Sequence, residues 1–422
     1  MNRYVRRAFI AMVMVSILTA TLAAGAAPAR SQGDDTTMLV AGNNAFAFDF
    51  YRQAAGQDDA NLIFSPFGIS QAFGMLWAAA RADTAQQIAD TMHYPLAQDE
   101  LHPAFAALLS DLSERETAGG DGEGERLQLN IANALWIQQD FPFREAYIDL
   151  VREFYDGGLF LADFIATPDR AREDINRWIE DETREKIQDM LGPGAIGSDT
   201  RMVLVNAIYF NGAWLYPFEE FATQDDTFTL LDGSTVTVPM MSQQESFGYM
   251  QGEGFQAVEL PYFGGDVAMV IVLPDEGQFE AVRSGLDADQ FDAIRETLAS
   301  ETVRLTMPRW EFESALDLKA SLAAMGMADV FDRERADLSG MFDPAAVGEN
   351  LFVSAALHKA YIGVDEAGTE AAAATAIIVG VTSAPVQVEP IELRLDRPFV
   401  YTIVDRQTGS ILFLGQVMDP AG

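Results

Sequence analysis

The segment from residue 366 to residue 385, EAGTEAAAATAIIVGVTSAP, constrains the fold more than any other part of the chain. Its four consecutive alanines, residues 371–374, favour a helix. The β-branched run that follows at residues 377–379 favours a strand. A segment that partly satisfies both preferences is suited to a change of conformation. We therefore interpret it as a part of the chain that has two states.

As a strand, this segment has two different faces, because side chains alternate in direction. One face is uncharged throughout and becomes more apolar towards its end; it carries Thr369, Ala371, Ala373, Thr375, Ile377, Val379 and Val381. The other face begins with the charge of Glu370, which can stay in water. The small side chains of the first half could slide between two existing strands, and Gly368 supplies a permissive hinge before them. From composition alone, a short exposed helix and a flexible alanine-rich loop remain alternatives.

The rest of the chain is predicted to form one large α+β domain. Of its 422 residues, 49% are hydrophobic and 22% are charged, which is typical of a globular protein with a sizeable core. Helical patterns come first and strand-like runs dominate later, which favours α+β over a βαβ repeat. Helices are predicted at residues 38–56, 69–92, 144–155 and 170–190. Strands are predicted at residues 127–137, 202–210, 267–273, 303–307, 398–404 and 411–417. No linker divides residues 36–420, which we assign to a single domain.

The N-terminal 29 residues are predicted to be a separate targeting segment. Three arginines in MNRYVRR precede an apolar run of about twenty residues, and the small residues AGAAPA follow. This order predicts a secretory signal peptide at residues 1–29, cleaved between Ala26 and Ala29. The protein is then secreted, extracellular or periplasmic, and free of the membrane after cleavage. The apolar run is also long enough to span a bilayer, so an uncleaved anchor is the alternative.

The chain is strongly acidic and contains no cysteine. Stability outside the cell must therefore come from packing, because disulfides are excluded. Without the three signal arginines, the 27 basic residues become 24 against 64 acidic ones, a net charge of −40. Such a field repels nucleic acid and anionic membranes, so neither is expected as a partner. Solubility, with salt screening the charges, explains this balance more simply than a specific cationic partner does.

No motif in the sequence indicates catalysis. The chain has three histidines, His93, His102 and His358, but no G-x-S-x-G elbow around a serine nucleophile. It also lacks H-E-x-x-H, a cysteine ligand set, a P-loop and G-x-G-x-x-G, so no metal or nucleotide cofactor is predicted. His102 precedes Pro103 in a polar stretch and is expected to be exposed. His358 follows the apolar run LFVSAAL and is expected to be buried and hydrogen-bonded.

Five ordered blocks of sequence point to a known family. They are HKAYIGVDEAGTEAAAATA (358–376), NLIFSPFGISQAFGMLWAAARADTAQQI (61–88), INRWIEDETREKI (175–187), LVNAIYFNGAW (204–214) and LDRPFVYTIVDRQTGSILFLGQVMDP (395–420). In this spacing they resemble the serpin family over nearly the whole domain. The first block is similar to the serpin hinge almost residue for residue. The others resemble the helix at the opening of the main sheet, the N-x-W-V-x-x-x-T and N-A-x-Y-F-x-G-x-W motifs, and the C-terminal signature.

The resemblance implies an α+β serpin fold with three β-sheets, eight or nine helices and an exposed reactive-centre loop at about residues 366–390. It also implies a suicide inhibitor of serine proteases and not an enzyme. The protease attacks one bond of the loop and forms an acyl-enzyme. The freed hinge then enters the main sheet as a new strand, and the protease moves with it because it is covalently attached to the loop. The expected partner is a serine endopeptidase in a covalent complex.

The resemblance also assigns the functional residues. The hinge comprises Glu366, Gly368, Thr369, Glu370, Ala371, Ala372, Ala373, Ala374 and Thr375. The family's loop length puts the reactive bond at Thr382–Ser383, with Val381–Thr382 as the alternative. A small or β-branched residue before the bond suits elastase-like or subtilisin-like proteases. A hydrogen-bond network is expected where the main sheet opens. Its members by resemblance are Ser65, Ser70, Asn206 and His358.

The chain departs from the serpin pattern in two places. AARAD at residues 79–83 replaces the usual glycines, and Glu185 replaces a glycine before Lys186. These departures put two local turns in doubt and leave the hinge intact. The region that matches the heparin-binding helix of some relatives, residues 103–126, is acidic, so heparin is not expected as an activator. The resemblance implies no cofactor and no metal, and a monomer is expected.

Two other functions remain as alternatives. A non-inhibitory serpin would act as a carrier, chaperone or storage protein, and relatives of that kind tend to have altered hinges, whereas this hinge is intact. A secreted hydrolase of another class would need a nucleophile motif, which the sequence lacks. Loop cleavage should separate the first alternative from an inhibitor, because only the inhibitor is expected to gain thermal stability.

Overall fold

The computed structural model describes residues 31–56, 59–118, 127–155, 158–348, 350–369 and 389–422. Among these residues, none of the helices is long and apolar enough to cross a membrane. The α-helices are Gln32–Ala55 (α1), Pro66–Ala79 (α2), Ala82–Thr91 (α3), Gln98–Ala118 (α4), Glu145–Phe154 (α5), Pro168–Glu182 (α6), Phe279–Gly285 (α7), Ala288–Thr297 (α8), Leu318–Ala324 (α9) and Pro344–Val347 (α10). Short 3₁₀ helices lie at Glu220–Ala222 and Asp329–Phe331.

The strands of the described residues form two hydrogen-bonded sheets. They are Leu62–Phe64 (β1), Gln128–Gln138 (β2), Gly158–Ala162 (β3), Met202–Ala213 (β4), Gln224–Thr229 (β5), Thr235–Gln251 (β6), Phe255–Pro261 (β7), Val267–Pro274 (β8), Ala299–Pro308 (β9), Trp310–Asp317 (β10), Ala355–Val364 (β11), Gly368–Thr369 (β12), Ile391–Arg394 (β13), Phe399–Asp405 (β14) and Ile411–Val417 (β15). One sheet has the order β1-β15-β14-β8-β7-β6-β9-β13, with β5 beside β6. The other has the order β10-β11-β12-β4-β2-β3.

The larger sheet is continuous because β6 is 17 residues long and takes part in two regions. Its residues 235–240 pair with β5, and its residues 240–249 pair with β9. Its last residues, 248–251, pair with β7. One region therefore contains β5, β9 and β13, and the other contains β7, β8, β14, β15 and β1.

One predicted helix is divided into two, and another ends earlier than its sequence pattern indicated. The helix predicted at 69–92 is interrupted after Ala79, because Ala80 is extended and Ala82 has a φ of 48°. The helix predicted at 170–190 ends at Glu182 (α6), because Arg184 and Glu185 have φ values of 52° and 63°. The helices and strands predicted elsewhere are present, with ends that differ by a few residues.

The predicted exposure of His102 was wrong. Its side chain is 2% exposed, and its Nδ1 lies 2.5 Å from the hydroxyl of Tyr155. Helix α4 continues through Pro103, so His102 shares a face with the buried Phe105 three residues later. The polar neighbours that favoured exposure, Asp99 and Glu100, lie on the exposed side of the helix.

The six-stranded sheet separates two apolar layers. Alternate residues of β4, among them Leu204, Ile208 and Phe210, belong to the main core. The residues between them, including Val203 and Val205, belong to a smaller layer. This smaller layer is closed by α6 and the segment that follows it. Both faces of β4 are therefore buried, which explains its nearly continuous apolar sequence.

Candidate hinge and sheet-opening site

Strands β4 and β11 form a seam in the six-stranded sheet. They run parallel as direct neighbours where residues 203–208 face residues 355–360. Beyond that region β12 lies between them. Its Thr369 pairs antiparallel with Gly212 of β4 and with Val364 of β11. The seam is therefore closed along one part and opened at its end by the start of the hinge.

A tight turn carries the chain from β11 into β12. The Asp365 side chain accepts hydrogen bonds from the N–H groups of Ala367, at 2.8 Å, and Gly368, at 3.2 Å. The N–H of Asp365 donates to the Gly368 carbonyl at 3.0 Å. Burial raises the pKa of the Asp365 carboxyl, and these hydrogen bonds oppose the rise. The turn reverses the chain so that it re-enters the sheet beside the strand it has just left.

Glu366 fastens the hinge to the segment that follows β4. Its carboxylate accepts hydrogen bonds from Arg309 and from the hydroxyl of Thr223. Its carbonyl accepts from the N–H of Phe218 at 2.9 Å. Burial alone would raise the pKa of Glu366, but the bonds from Arg309 and Thr223 outweigh it and hold this pKa below its usual value. The carboxylate is therefore ionised and anchored at neutral pH.

Thr369 points into the core, as the alternation of its predicted face requires. It is 1% exposed, and its hydroxyl lies 2.6 Å from the hydroxyl of Tyr262. The Tyr262 ring stacks on Trp214 with centroids 4.6 Å apart. Gly212 allows the Tyr262 ring to lie close to the backbone of β4, because a Cβ at this position would lie 3.0 Å from the ring. Burial raises the pKa of Tyr262 far above its usual value, so its hydroxyl stays protonated.

A chain of buried polar side chains crosses the seam. His358 Nδ1 donates to Asn206 Oδ1 at 2.5 Å, and His358 Nε2 accepts the N–H of Ser65 at 3.2 Å. Asn206 donates to Asn133 at 2.5 Å, and Asn133 donates to Gln71 at 2.8 Å. Burial lowers the pKa of His358 to about 3. The ring is therefore neutral, and its partners assign the proton to Nδ1.

The two predicted serines lie on or beside α2 but have different partners. Ser65 caps the helix, because its hydroxyl oxygen accepts the N–H of Gly68 at 3.0 Å. The Ser70 hydroxyl donates to Asn43 at 2.6 Å, and its carbonyl accepts from the Tyr94 hydroxyl at 2.5 Å. Ser65 thus belongs to the network across the seam, whereas Ser70 belongs to a neighbouring one.

Asn133 and Gln71 are network members that the sequence reasoning missed. Asn133 is 4% exposed and lies directly opposite Asn206 in the pairing of β2 with β4. Gln71 is 2% exposed on α2, which is buried along its whole length. A polar residue inside such an apolar run must find a buried partner. That rule could have added both residues to the predicted site.

The structure describes three of the predicted hinge residues, Glu366, Gly368 and Thr369. The other predicted hinge residues lie outside the described ranges; they are Glu370, Ala371, Ala372, Ala373, Ala374 and Thr375. Thr382 and Ser383 of the predicted reactive bond also lie outside them, as does Val381 of its alternative. No group of acidic or histidine side chains suited to a metal ion occurs in the described ranges.

The chain is similar to known proteins over nearly its whole length. The family model described as Serpin (serine protease inhibitor) matches residues 41–420. The chain belongs to the serpin family. An uncharacterised serpin-like protein of Thermococcus kodakarensis is 38% identical to this serpin over 377 residues, which cover 89% of this chain and 84% of the relative. The plasminogen activator inhibitor 1 of Sus scrofa is 34% identical, with coverages of 96% and 100%. Human thyroxine-binding globulin has a similar structure, with a TM-score of 0.79, 29% identity and coverages of 92% and 100%.

Membership confirms the serpin fold expected from the sequence. The six-stranded sheet of this serpin is the main sheet, which contains the seam. The other two sheets of the family are the two regions of the larger sheet, joined here through β6.

The outer face of the seam is covered in this serpin by α6 and the segment after it. Ile179 of α6 and Ile187 of the segment lie in one apolar layer with Val205 of β4. Lys359 of β11 donates from Nζ to the carbonyl of Gln188 at 3.2 Å. A strand that entered the seam would therefore have to pass beneath this cover.

Proposed function

We propose that this serpin is a suicide inhibitor of serine endopeptidases. A protease cuts the reactive bond Thr382–Ser383, or the adjacent Val381–Thr382, and forms an acyl-enzyme. The hinge enters the seam between β4 and β11 as a new strand, and the tethered protease is trapped before water deacylates it. Membership of a family described as serine protease inhibitors supports this proposal. A relative named plasminogen activator inhibitor 1 supports it further.

The observation that carries the proposal is the position of Thr369. It is paired on both sides at the open end of the seam, and its side chain points into the core. The next five residues, 370–374, are one glutamate and four alanines. The alanine side chains require little space on either face. The hinge can therefore continue along the seam with the pairing that Thr369 has begun.

Extending this pairing predicts where the inserted hinge would lie. Thr369 pairs antiparallel with Gly212 and Val364, and Asn206 and His358 lie six residues before these two partners. Thr375 lies six residues after Thr369. Thr375 would therefore lie between Asn206 and His358, which now face each other across the seam. It would share the core-facing side of Thr369. Its hydroxyl could then donate to Asn206 Oδ1 and accept from His358 Nδ1, so the network would open for the strand and close again on it.

Insertion is favourable only after the loop is cut. At its far end the loop returns to β13, which pairs in parallel with β9 through residues 391–394. Cleavage releases the hinge from that end. Burying Ile377, Val379 and Val381 would then contribute roughly 1.5–3 kcal/mol each. Hydrogen bonds to both flanking strands would add to that gain.

We further propose elastase-like or subtilisin-like targets. The residue before the reactive bond is threonine, or valine in the alternative register, and both suit proteases with small apolar pockets. Trypsin-like proteases would need Arg or Lys there. The signal peptide predicted at residues 1–29 supports an encounter outside the cell or in the periplasm, with the inhibitor as a monomer.

The substitution Thr369→Arg tests the proposal. A charged side chain cannot be buried where Thr369 now contacts the Tyr262 hydroxyl. The start of the strand should therefore be displaced from the seam, and insertion should become slower than deacylation. Mixed with subtilisin or pancreatic elastase, the wild type should form a complex that survives boiling in detergent. The variant should be cut in the loop without forming that complex. Thr297→Arg is the matched control, because Thr297 is exposed in the last turn of α8, where a positive charge is favourable.

Two outcomes would contradict the proposal. If Thr369→Arg forms the covalent complex as well as the wild type does, insertion is not the trapping step. If the wild type is cut by both proteases without a complex, the protein is a non-inhibitory serpin. A carrier is then favoured, since one structural neighbour is named for binding thyroxine.

A further inference from the structure

An exposed apolar surface lies beside the hinge. Among the described residues, seven large hydrophobic side chains are more than about one third exposed, and four of them lie close to the hinge in the fold. These four are Leu215, Tyr216, Phe221 and Phe263, which we call the hinge-side patch. Phe221 is the most exposed of the seven, at 84%. A patch of this kind indicates an interaction surface more often than a packing defect.

The segment that carries most of the patch is attached to the hinge at three points. The N–H of Trp214 donates to the carbonyl of Ala367 at 2.9 Å, and the N–H of Phe218 donates to the carbonyl of Glu366 at 2.9 Å. The hydroxyl of Thr223 bonds to the Glu366 carboxylate. Three of the four patch residues lie between the first and last of these attachments. The patch is therefore held in a fixed position relative to the start of the reactive loop.

The fourth residue is held to the same segment by the backbone. The N–H of Phe263 donates to the carbonyl of Ala213 at 2.7 Å, and the N–H of Leu215 donates to the carbonyl of Pro261 at 2.9 Å. The turn between β7 and β8 thus lies against the segment after β4. These backbone bonds bring Phe263, in the turn, and Leu215, just after β4, close together although they are distant in sequence.

Phe221 does not contribute to the apolar core. It lies in the 3₁₀ turn Glu220–Ala222, whose residues are not buried. The neighbouring Phe218, at 5% exposed, supplies the apolar anchor of this segment. Burial of a phenylalanine side chain contributes about 1.5–3 kcal/mol, which is available here only to a partner. Phenylalanine is enriched at the cores of protein interfaces relative to the rest of the surface.

The segment that carries most of the patch is acidic, and the two arginines near it, Arg309 and Arg394, are paired with Glu366 and Asp226. Residues 215–226, LYPFEEFATQDD, contain four acidic residues and no Lys or Arg. Glu219, Glu220 and Asp225 are exposed, whereas Asp226 is paired with Arg394 at 2.6 Å. This local charge complements a partner with basic residues beside an apolar contact.

We propose that the hinge-side patch is a second docking surface for the protease that attacks the reactive loop. The proposal rests on the proposed function, because it takes the loop as the first contact and places the second next to its hinge. The partner is a serine endopeptidase with exposed apolar side chains and positive charge beside its active-site cleft. Contact at the patch accelerates the encounter, and the loop then supplies the bond that is cut.

The substitution Phe221→Ser tests this surface, with Leu161→Ser as its matched control. Leu161 is 57% exposed on the edge strand β3, away from the hinge. We expect Phe221→Ser to lower the association rate constant with subtilisin or pancreatic elastase about 10-fold, whichever is inhibited faster. The number of inhibitor molecules consumed per trapped protease should not change. Leu161→Ser should leave both quantities within about two-fold of the wild type.

The charge contribution is tested with the double variant Glu219→Lys and Asp225→Lys. Its association rate constant should be lower than that of the wild type and should depend less on salt between about 0.05 and 0.5 M. Phe221→Ser and the double lysine variant, but not Leu161→Ser, should also bind more weakly to the same protease with its catalytic serine changed to alanine. That measurement reports docking alone, so it applies even if the wild type proves to be a substrate and the proposed function fails.

Three results would overturn the proposal. One is an unchanged rate and affinity for Phe221→Ser with both proteases. Another is a change confined to the number of inhibitor molecules consumed, which would assign Phe221 to strand insertion. The last is a concentration-dependent dimer of the wild type in sedimentation that Phe221→Ser abolishes, which would identify a second copy of the chain as the occupant of the patch.

Discussion

At the scale of single residues, two buried histidines should make this serpin less stable in acid. Burial lowers the pKa of His102 to about 4 and that of His358 to about 3, from 6.5 for the free side chain. Below pH 6.5 these two histidines therefore bind protons in the unfolded chain but not in the folded chain. The free energy of unfolding falls as the pH falls, by up to about 3 kcal/mol per histidine at pH 4. The free energy of unfolding that is lost through protonation of these two histidines should be regained as the pH rises towards 6.5.

The variant His102→Gln isolates one of these contributions. Glutamine can still bond to Tyr155 but does not titrate, so the variant should lose about 3 kcal/mol less than the wild type between pH 6.5 and pH 4. Urea unfolding across this range measures the difference. The offset between the two proteins at pH 7.5, where both side chains are neutral, reports the packing cost of the substitution. Parallel curves from pH 6.5 to pH 4 would refute the assignment.

The same two histidines show what the sequence reveals about single residues. The burial of His358 follows from its apolar neighbours, and the structure confirms it. His102 has polar neighbours in sequence, and its burial follows from the helical period that places it with Phe105. Asn133 was missed for a related reason, because its partner Asn206 lies on another strand. Contacts between distant parts of the chain decide such cases, and a single sequence does not contain them directly.

At the scale of elements, the segment after α6 is strained in its present sequence. Glu185 has a φ of 63°, a left-handed conformation that costs a residue with a Cβ about 1–2 kcal/mol. Glycine avoids this cost but loses roughly 0.5–1 kcal/mol more on folding. Glu185→Gly should therefore raise the free energy of unfolding by about 0.5–1 kcal/mol, as measured by urea denaturation.

Glu173→Gly provides the comparison for that substitution. Glu173 is exposed inside α6, where glycine should lower stability by about 1 kcal/mol. The two changes are chemically identical and differ mainly in the backbone that receives them. Glu173 also lies 3.6 Å from Arg172, a surface pair that contributes at most about 1 kcal/mol. If both lower stability equally, the left-handed conformation at Glu185 is not a source of strain.

Elements were predicted well where periodicity is strong and less well where a turn depends on backbone conformation. The strands at residues 202–210 and 267–273 are long apolar runs, and the structure contains both. The break at Ala82 was not predicted, because alanine gives no signal for a left-handed residue. The same applies to Glu185, where the turn survives although its usual glycine is absent. At these two positions tertiary packing has overridden local preference.

At the scale of the whole molecule, the proposed mechanism requires a fold that is not at its lowest free energy. The closed part of the seam joins β4 and β11 directly, and only β12 separates them at the open end. A complete strand between them would add hydrogen bonds on both sides and bury three β-branched side chains. Their burial alone contributes roughly 5–9 kcal/mol. For a domain of this size that gain corresponds to a rise in melting temperature of about 6–11 °C, to which the new hydrogen bonds would add.

Cleavage of the loop without a trapped protease should therefore stabilise the molecule. We expect limited proteolysis between residues 370 and 388, with the cut site located by mass spectrometry, to raise the melting temperature in scanning calorimetry by about 10 °C or more. The same cut in Thr369→Arg should give a smaller rise, because arginine cannot be buried at the position from which the new strand extends along the seam. Uncut wild type taken through the same incubation is the control. A cleaved wild type with an unchanged melting temperature would mean that the seam does not accept the strand, and the trapping mechanism would then have no driving force.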